Sequence, residues 1–573
     1  MRAFGSVVQV LGLLYLIGGG NSAPAKKGPK GFLKQLNDTT WVLGNDLWNL
    51  TQGRQYGVRL MYKDKDLVGN AVGHYVSYNG AASDLNWTSA AIVESGSDYI
   101  NVKFTAKEGD FHWVIYDDLV GAYQYFINHA LPVLGEFRTL WRLDNTSFPR
   151  GRTNVKDGVL PPLSDYLAAT NVQDETWQEA DGTYLTKYDW AAFIREQEYY
   201  GVYGNEFGSW YINAGKDYYN GDHLKQELMI HRESKTGDAV QLNMIHGTHY
   251  QAVSKDAFDD GKTWGPWLWY LNDGSKSDAA DRWRQEQKAW PYKWFKDTAY
   301  QTRGSVRGKI VLSDGRPAAG AAIFLGDNDM PNVTALDQGK RYYYTVYADN
   351  DGSFDIDDVR TGTYALQTWA NGGKIADVTT TFVQGDIVVA KDKRTDLGKK
   401  LTWTVTDRKD RVFQVGNFDR KTVGFKLSGP TPFEHGRIDK VPANFTYTVG
   451  KSKSSDWYFA QSALGAQSIV FPLKAGPSSN AKLTVSLAGF SGGSSANILL
   501  NGQKVGNITT NSALLPTSQD TYRAATQAGE WHLLEFPIDQ SLLKQGDNRI
   551  DFNVTTSTRW RGWLWDSILL DWA

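Results

Sequence analysis

Tyr99-Ile100-Asn101-Val102-Lys103-Phe104-Thr105 places Ile100, Val102 and Phe104 on one face and polar residues on the other. That period of two is the signature of a half-buried strand. Val240–Tyr250 repeats it with Leu242, Met244 and His246. Short alternating runs separated by turns continue from about residue 32 to residue 300. Helical periodicity is scarce there, with Ala279–Tyr292 the best candidate. The spacing predicts a large antiparallel β-sandwich over residues 26–300.

The texture changes near Gln301. Gly304–Leu312, Tyr343–Tyr347, Phe354/Ile356 and Tyr364–Ala370 are closely spaced strand candidates, divided by turns at Asp314-Gly315 and Asp349-Asn350-Asp351-Gly352. They predict a small immunoglobulin- or fibronectin-like sandwich over 301–398. The second turn is not read as a calcium loop, because Tyr347 stands where the first carboxylate ligand would be. From residue 399 to 573, Leu483/Val485/Leu487, Ile498/Leu500 and Ile550/Phe552/Val554 alternate ahead of an indole-rich end, Trp560–Ile568. This combination suits a jelly-roll of the carbohydrate-binding kind. The fold class expected is all-β.

The chain has 573 residues, a net charge of −2, 22 Trp, 30 Tyr and no Cys. Near-neutral charge argues against nucleic acid or membrane as a partner. Any anion must therefore meet a local basic site. The lack of cysteine excludes disulfides, thiolate metal sites and cysteine nucleophiles. Most of the rings are expected to pack cores, and exposed ones to stack on sugars. Met1-Arg2, the apolar run Val7–Ile17 and Ala23-Pro24-Ala25 have the pattern of a secretory leader over residues 1–25. Eight N-x-S/T sequons, at Asn37, Asn49, Asn86, Asn145, Asn332, Asn444, Asn507 and Asn553, fit an extracellular glycoprotein. Nothing in the sequence asks for a cofactor or a protein partner, so a monomer is expected; a structural calcium ion is left open.

Chemistry concentrates in Thr183–Tyr250. Lys187 in TKYDW sits among rings that could desolvate its amine and lower its pKa, as a lysine base requires. Asp189 opposes this if a strand puts both side chains on one face. His223, in Asn220-Gly221-Asp222-His223, has a loop-like setting. His246 shares a face with Leu242 and Met244 and reads as core, while His231 and His249 are left open. His246-x-x-His249 lacks a helix, a glutamate partner and a third ligand, so no metal site is assigned. Arg138 and Arg142 in GEFRTLWRLD share one face of a strand and could clamp a carboxylate.

These segments resemble the rhamnogalacturonan endolyases of polysaccharide lyase family 4. The likeness rests on GEFRTLWRLD, TKYDW, GSWYINAGKDYYNGDHLKQELMIHRES, NMIHGTHY, QVGNFDR and SDWYFA. It implies three domains in the order given above. It also implies β-elimination at the α-1,4 bond between rhamnose and galacturonate of the pectin backbone, leaving a 4,5-unsaturated uronate. The resemblance places the family's lysine on Lys187 and its histidine on His223. It places a substrate tyrosine on Tyr218 and a carboxylate-binding arginine on Arg138. Lys216 stands where a second tyrosine is expected, and could help to neutralise the carboxylate. On this reading Lys187 takes the C5 proton and His223 protonates the leaving oxygen. Two rivals stand beside it: a glycoside hydrolase using carboxylates such as Glu196 and Glu206, and a pectin-binding protein without turnover.

Overall fold

The computed structural model describes residues 29–79, 83–133, 135–250, 258–330, 333–398, 400–406 and 408–573. The expected leader and the Asn332 sequon lie outside them. The other seven sequon asparagines are exposed or half-buried.

The protein is all-β, with three successive sandwiches. The first is built on a nine-stranded sheet that runs from the edge strand Asp157–Val159 to Ser89–Ser95. A four-stranded sheet faces it, in the order Ile230–Arg232, Ala239–Gly247, Glu136–Leu143, Tyr75–Tyr78. A five-stranded meander over Phe32–Asp66 completes the core. Ile100, Val102 and Phe104 enter one cluster with Trp41, Trp48, Trp113, Trp141 and Trp269, as period two demands. Dispersion and burial of these indoles dominate the packing, and each is at most 2 % exposed. The other face of the large sheet offers Tyr123, Tyr125, Tyr199 and Trp210, covered by Ala279, Tyr292 and Phe295. Ala279 belongs to the helix Lys276–Ala289, which begins three residues earlier than its apolar pattern suggests. Ser275 caps it, accepting from the Asp278 N–H at 3.1 Å.

The second sandwich pairs two four-stranded sheets. One holds Ser353–Arg360, Arg303–Leu312 and Arg394–Asp396, and Leu401–Trp403, beyond the expected boundary at 398, pairs with Ile310–Leu312. The Asp349–Gly352 segment is a tight turn, with Gly352 at φ +84°. The third sandwich has two five-stranded sheets, and its first strand, Arg411–Gly416, lies against the last, Trp563–Trp572. Trp560, Trp563 and Trp565 are buried, so this indole-rich end packs the domain and presents no sugar platform.

The domains are joined by buried contacts. Asp217 of the first domain meets Arg303 at 3.1 Å and Arg360 at 2.9 Å. Tyr188, Phe193, Leu224 and Tyr250 share a cluster with the third domain's Phe433. The third sandwich therefore completes the surface from which Lys187 projects.

Candidate active site

The outer face of the four-stranded sheet carries the charged groups. In Glu136–Leu143 the residues Phe137, Trp141 and Leu143 point into the core, which turns Arg138 and Arg142 outward. His231 pairs with Val240, which pairs in turn with Arg142, so the two side chains stand in one row across the sheet. His249 follows a sharp exit from Ala239–Gly247. Gly247 has φ +74°, and a Cβ there would lie 1.8 Å from the Gly135 carbonyl oxygen. Only glycine fits that approach.

Lys187 opens a 3₁₀ turn, Lys187–Trp190, whose N-cap Thr186 accepts from the Tyr188 N–H. A strand was expected here. The turn removes the conflict with Asp189, whose carboxylate instead accepts from the His435 backbone N–H at 3.0 Å. Lys187 Nζ lies 5.2 Å from the Tyr188 ring centroid. Burial holds its pKa below the usual lysine value; Glu175 and Asp174 oppose that, while the Arg523 and Arg138 cations reinforce it.

Arg138 is held from three sides. Its Nε donates to Ser77 Oγ at 3.2 Å, and Nη1 lies 3.2 Å from Glu136 Oε1 and 2.7 Å from His249 Nε2. A guanidinium only donates, so His249 Nε2 accepts and the ring proton sits on Nδ1. That proton goes to Glu227 Oε1 at 2.6 Å, and the His249 backbone N–H meets Oε2 at 2.9 Å. Burial raises Glu227 to about 7 and lowers His249 to about 3. Glu227, His249 and Arg138 thus form one buried chain that ends in a guanidinium.

His231 lies beside Lys187, whose cation is the strongest charge acting on it. Its Nδ1 is 3.0 Å from the Arg232 carbonyl, an acceptor only, so Nδ1 carries the proton and Nε2 a lone pair. Burial, followed by the Lys187 charge, lowers its pKa to about 3. Arg142 is paired with Glu233 at 2.7 Å. The third domain contributes Arg523, which donates to the His249 carbonyl and to Asp174 Oδ2 and lies over the Tyr188 ring at 5.0 Å.

The expected residues divide between two places. Lys187 and Arg138 come together here. His223 does not join them: its ring stands against Tyr347 and Trp369 of the second domain, and its charged surroundings are Asp222, Lys421, Arg420 and Arg195. Tyr218 is 2 % exposed and packs on Trp267, which removes it from any substrate. Lys216 lines a cleft with His223 and gives a hydrogen bond to the Arg195 carbonyl at 2.6 Å. The reason is that Arg195 binds the carbonyls of Gly221, Tyr219 and the second domain's Tyr343, while Asp217 pairs with Arg303 and Arg360, which seats the 216–223 loop against the second domain. His231, His249, Glu227 and Arg523 were not singled out from sequence. The one legible signal was HRE, in which Arg232 and Glu233 directly follow His231 on a short strand.

His246 is buried against Phe258 and Trp264, as core packing predicts. Glu196 borders the Lys216 cleft and Glu206 lies in an exposed hairpin turn, so the two share no site. Among the described residues no group of three or more His, Asp or Glu is placed to hold a metal ion.

A three-domain β protein with a lysine of lowered basicity, a neutral histidine and an anchored arginine is equipped to move protons on an anionic substrate. Family models described as polysaccharide lyase family 4, domain II and domain III, match residues 303–397 and 411–570. The chain is 29 % identical over 508 residues to a rhamnogalacturonate lyase of Dickeya dadantii, covering 83 % of this chain and 82 % of that one. It is 24 % identical over 494 residues to rhamnogalacturonate lyase B of Emericella nidulans, covering 73 % and 72 %. A probable rhamnogalacturonate lyase B of Aspergillus niger is 25 % identical over 426 residues, covering 63 % and 57 %. The second and third domains match polysaccharide lyase family 4, and the chain is a polysaccharide lyase.

Proposed function

We propose that the protein is a secreted rhamnogalacturonan endolyase that breaks the bond between rhamnose and galacturonate at O4 of the uronate by β-elimination. The observation that carries this is the meeting of Lys187, His231 and Arg138 on one sheet face, with the basicity of the lysine lowered by burial and by two arginines. Arg138 neutralises the uronate carboxylate and so acidifies the C5 hydrogen. The free Lys187 amine takes the C5 hydrogen and the C4–O4 bond breaks as the 4,5 double bond forms. The proton gained by Lys187 passes to the lone pair on Nε2 of the neutral His231 and from there to O4, which returns both groups to their starting state. In this reading His231 takes the role that sequence gave to His223. Substrate is met outside the cell, in keeping with the leader-like N-terminus and the accessible sequons.

The test is ultraviolet absorbance of the conjugated unsaturated uronate during incubation with rhamnogalacturonan, beside homogalacturonan. Absorbance that rises with the first substrate alone is the expected result. Shortened polymer without absorbance means hydrolysis, and no change in either means binding without turnover; both defeat the proposal.

A further inference from the structure

Between the first and second domains lies a cleft of about 340 Å³ whose lining shares no residue with the Lys187 site. Its inner wall is the 216–223 loop, held by Arg195 through the Gly221 and Tyr219 carbonyls. Lys216 gives one hydrogen bond to the Arg195 carbonyl, and an ammonium has three to give. Burial and the Arg195 charge lower its pKa only to about 8, which leaves it mostly cationic at neutral pH.

His223 is 3 % exposed, yet neither ring nitrogen has a hydrogen-bond partner among the described residues. Buried polar atoms are nearly always satisfied, and two on one fixed ring mark a place where a ligand supplies the missing bonds. The ring is fixed by Trp369, stacked at 6.1 Å, and by Tyr347, edge-on at 5.4 Å. Tyr347 is itself 48 % exposed and forms an aromatic edge at the mouth. Trp290 and the exposed Glu196 complete the rim.

We propose that this cleft is a non-catalytic binding site for an acidic sugar. Lys216 pairs with the carboxylate, while His223 and Glu196 exchange hydrogen bonds with ring hydroxyls. Tyr347 covers a C–H face of the sugar. An inorganic anion would leave the aromatic edge unused, and a neutral sugar would leave the ammonium unpaired. The choice of a uronate as the acidic sugar rests on the substrate reading above; the cleft itself does not.

The experiment is calorimetric titration of the full chain with galacturonic acid, beside galactose. The acid is expected to bind at least tenfold more tightly than galactose. Lys216→Met and Tyr347→Ala are each expected to weaken that binding at least tenfold, with the thermal midpoint of Tyr347→Ala unchanged because its ring is half outside. Absence of binding to the wild type overturns the proposal. Binding that persists unchanged in both variants belongs to the Lys187 site and also overturns it. Elimination is measured in parallel on the same samples. Its absence, with variant-sensitive binding intact, defeats the lyase reading and leaves the cleft standing; elimination without such binding does the reverse.

Discussion

Glu227→Gln separates a positioning chain from a merely buried carboxylate. Glu227 is fully buried and receives two hydrogen bonds from one residue, from His249 Nδ1–H at 2.6 Å and from the His249 backbone N–H at 2.9 Å. Glutamine keeps the shape but turns one oxygen into an NH₂ group, so one of the two donors faces another donor. Losing a hydrogen bond to a charged group costs about 1.5–3 kcal/mol. At about 1.4 kcal/mol per factor of ten, that is roughly 10- to 150-fold if it is all felt through Arg138. Initial rates of unsaturated-uronate formation, read as kcat and KM for Glu227→Gln, Arg138→Lys and the double variant, measure this directly. Because Glu227 acts through His249 on Arg138, the double variant is expected to be no worse than the poorer single one. Losses that multiply, or a Glu227→Gln enzyme with unaltered kcat/KM, refute the chain.

Four further outcomes are expected. Lys187→Met lowers the elimination rate by about 10²–10⁴-fold, the usual cost of a lost acid–base group; a tenth of the rate surviving, with the fold intact by circular dichroism, removes Lys187 from the chemistry. His231→Asn lowers kcat more than His223→Asn does, and the reverse order restores the histidine that sequence favoured. Asp217→Asn leaves Arg303 and Arg360 buried without their counter-charge and destabilises by about 3–5 kcal/mol, read as a lower urea midpoint. Acid also weakens the fold. His74, His112, His231 and His249 are held near 3 and His223 near 4, below their unfolded value, chiefly by burial. Their contribution is present above the unfolded pKa, about 6.5, and is lost as pH falls towards the folded values. Glu227, near 7, Asp419 and Asp520, near 6, and Asp566 are raised by burial and work the other way, offsetting part of this loss. The thermal midpoint should therefore fall between pH 6.5 and 4.5; a flat or rising midpoint contradicts the burial of neutral histidines.

Much of the architecture was legible because strand burial is a local property. The alternation of Ile100, Val102 and Phe104 and the core place of His246 follow from period two, whatever the partner strands are. The change of texture near residue 301 and the turn at Asp349–Gly352 were likewise local. Lys187 and Arg138 could be named from sequence because each stands in a short, recognisable motif. What the sequence could not decide is which loop reaches which domain. The 216–223 loop reads as an active-site loop, yet Arg195 binds its carbonyls and Asp217 is fixed by two arginines of the second domain. That carries Lys216 and His223 to another cleft. His231, His249 and Arg523, up to hundreds of positions from Lys187 in the chain, meet it only through sheet pairing and the packing of the third domain. Backbone periodicity is written residue by residue. The company a charged side chain keeps is set by contacts between distant segments, and those exist only once the sandwiches have packed.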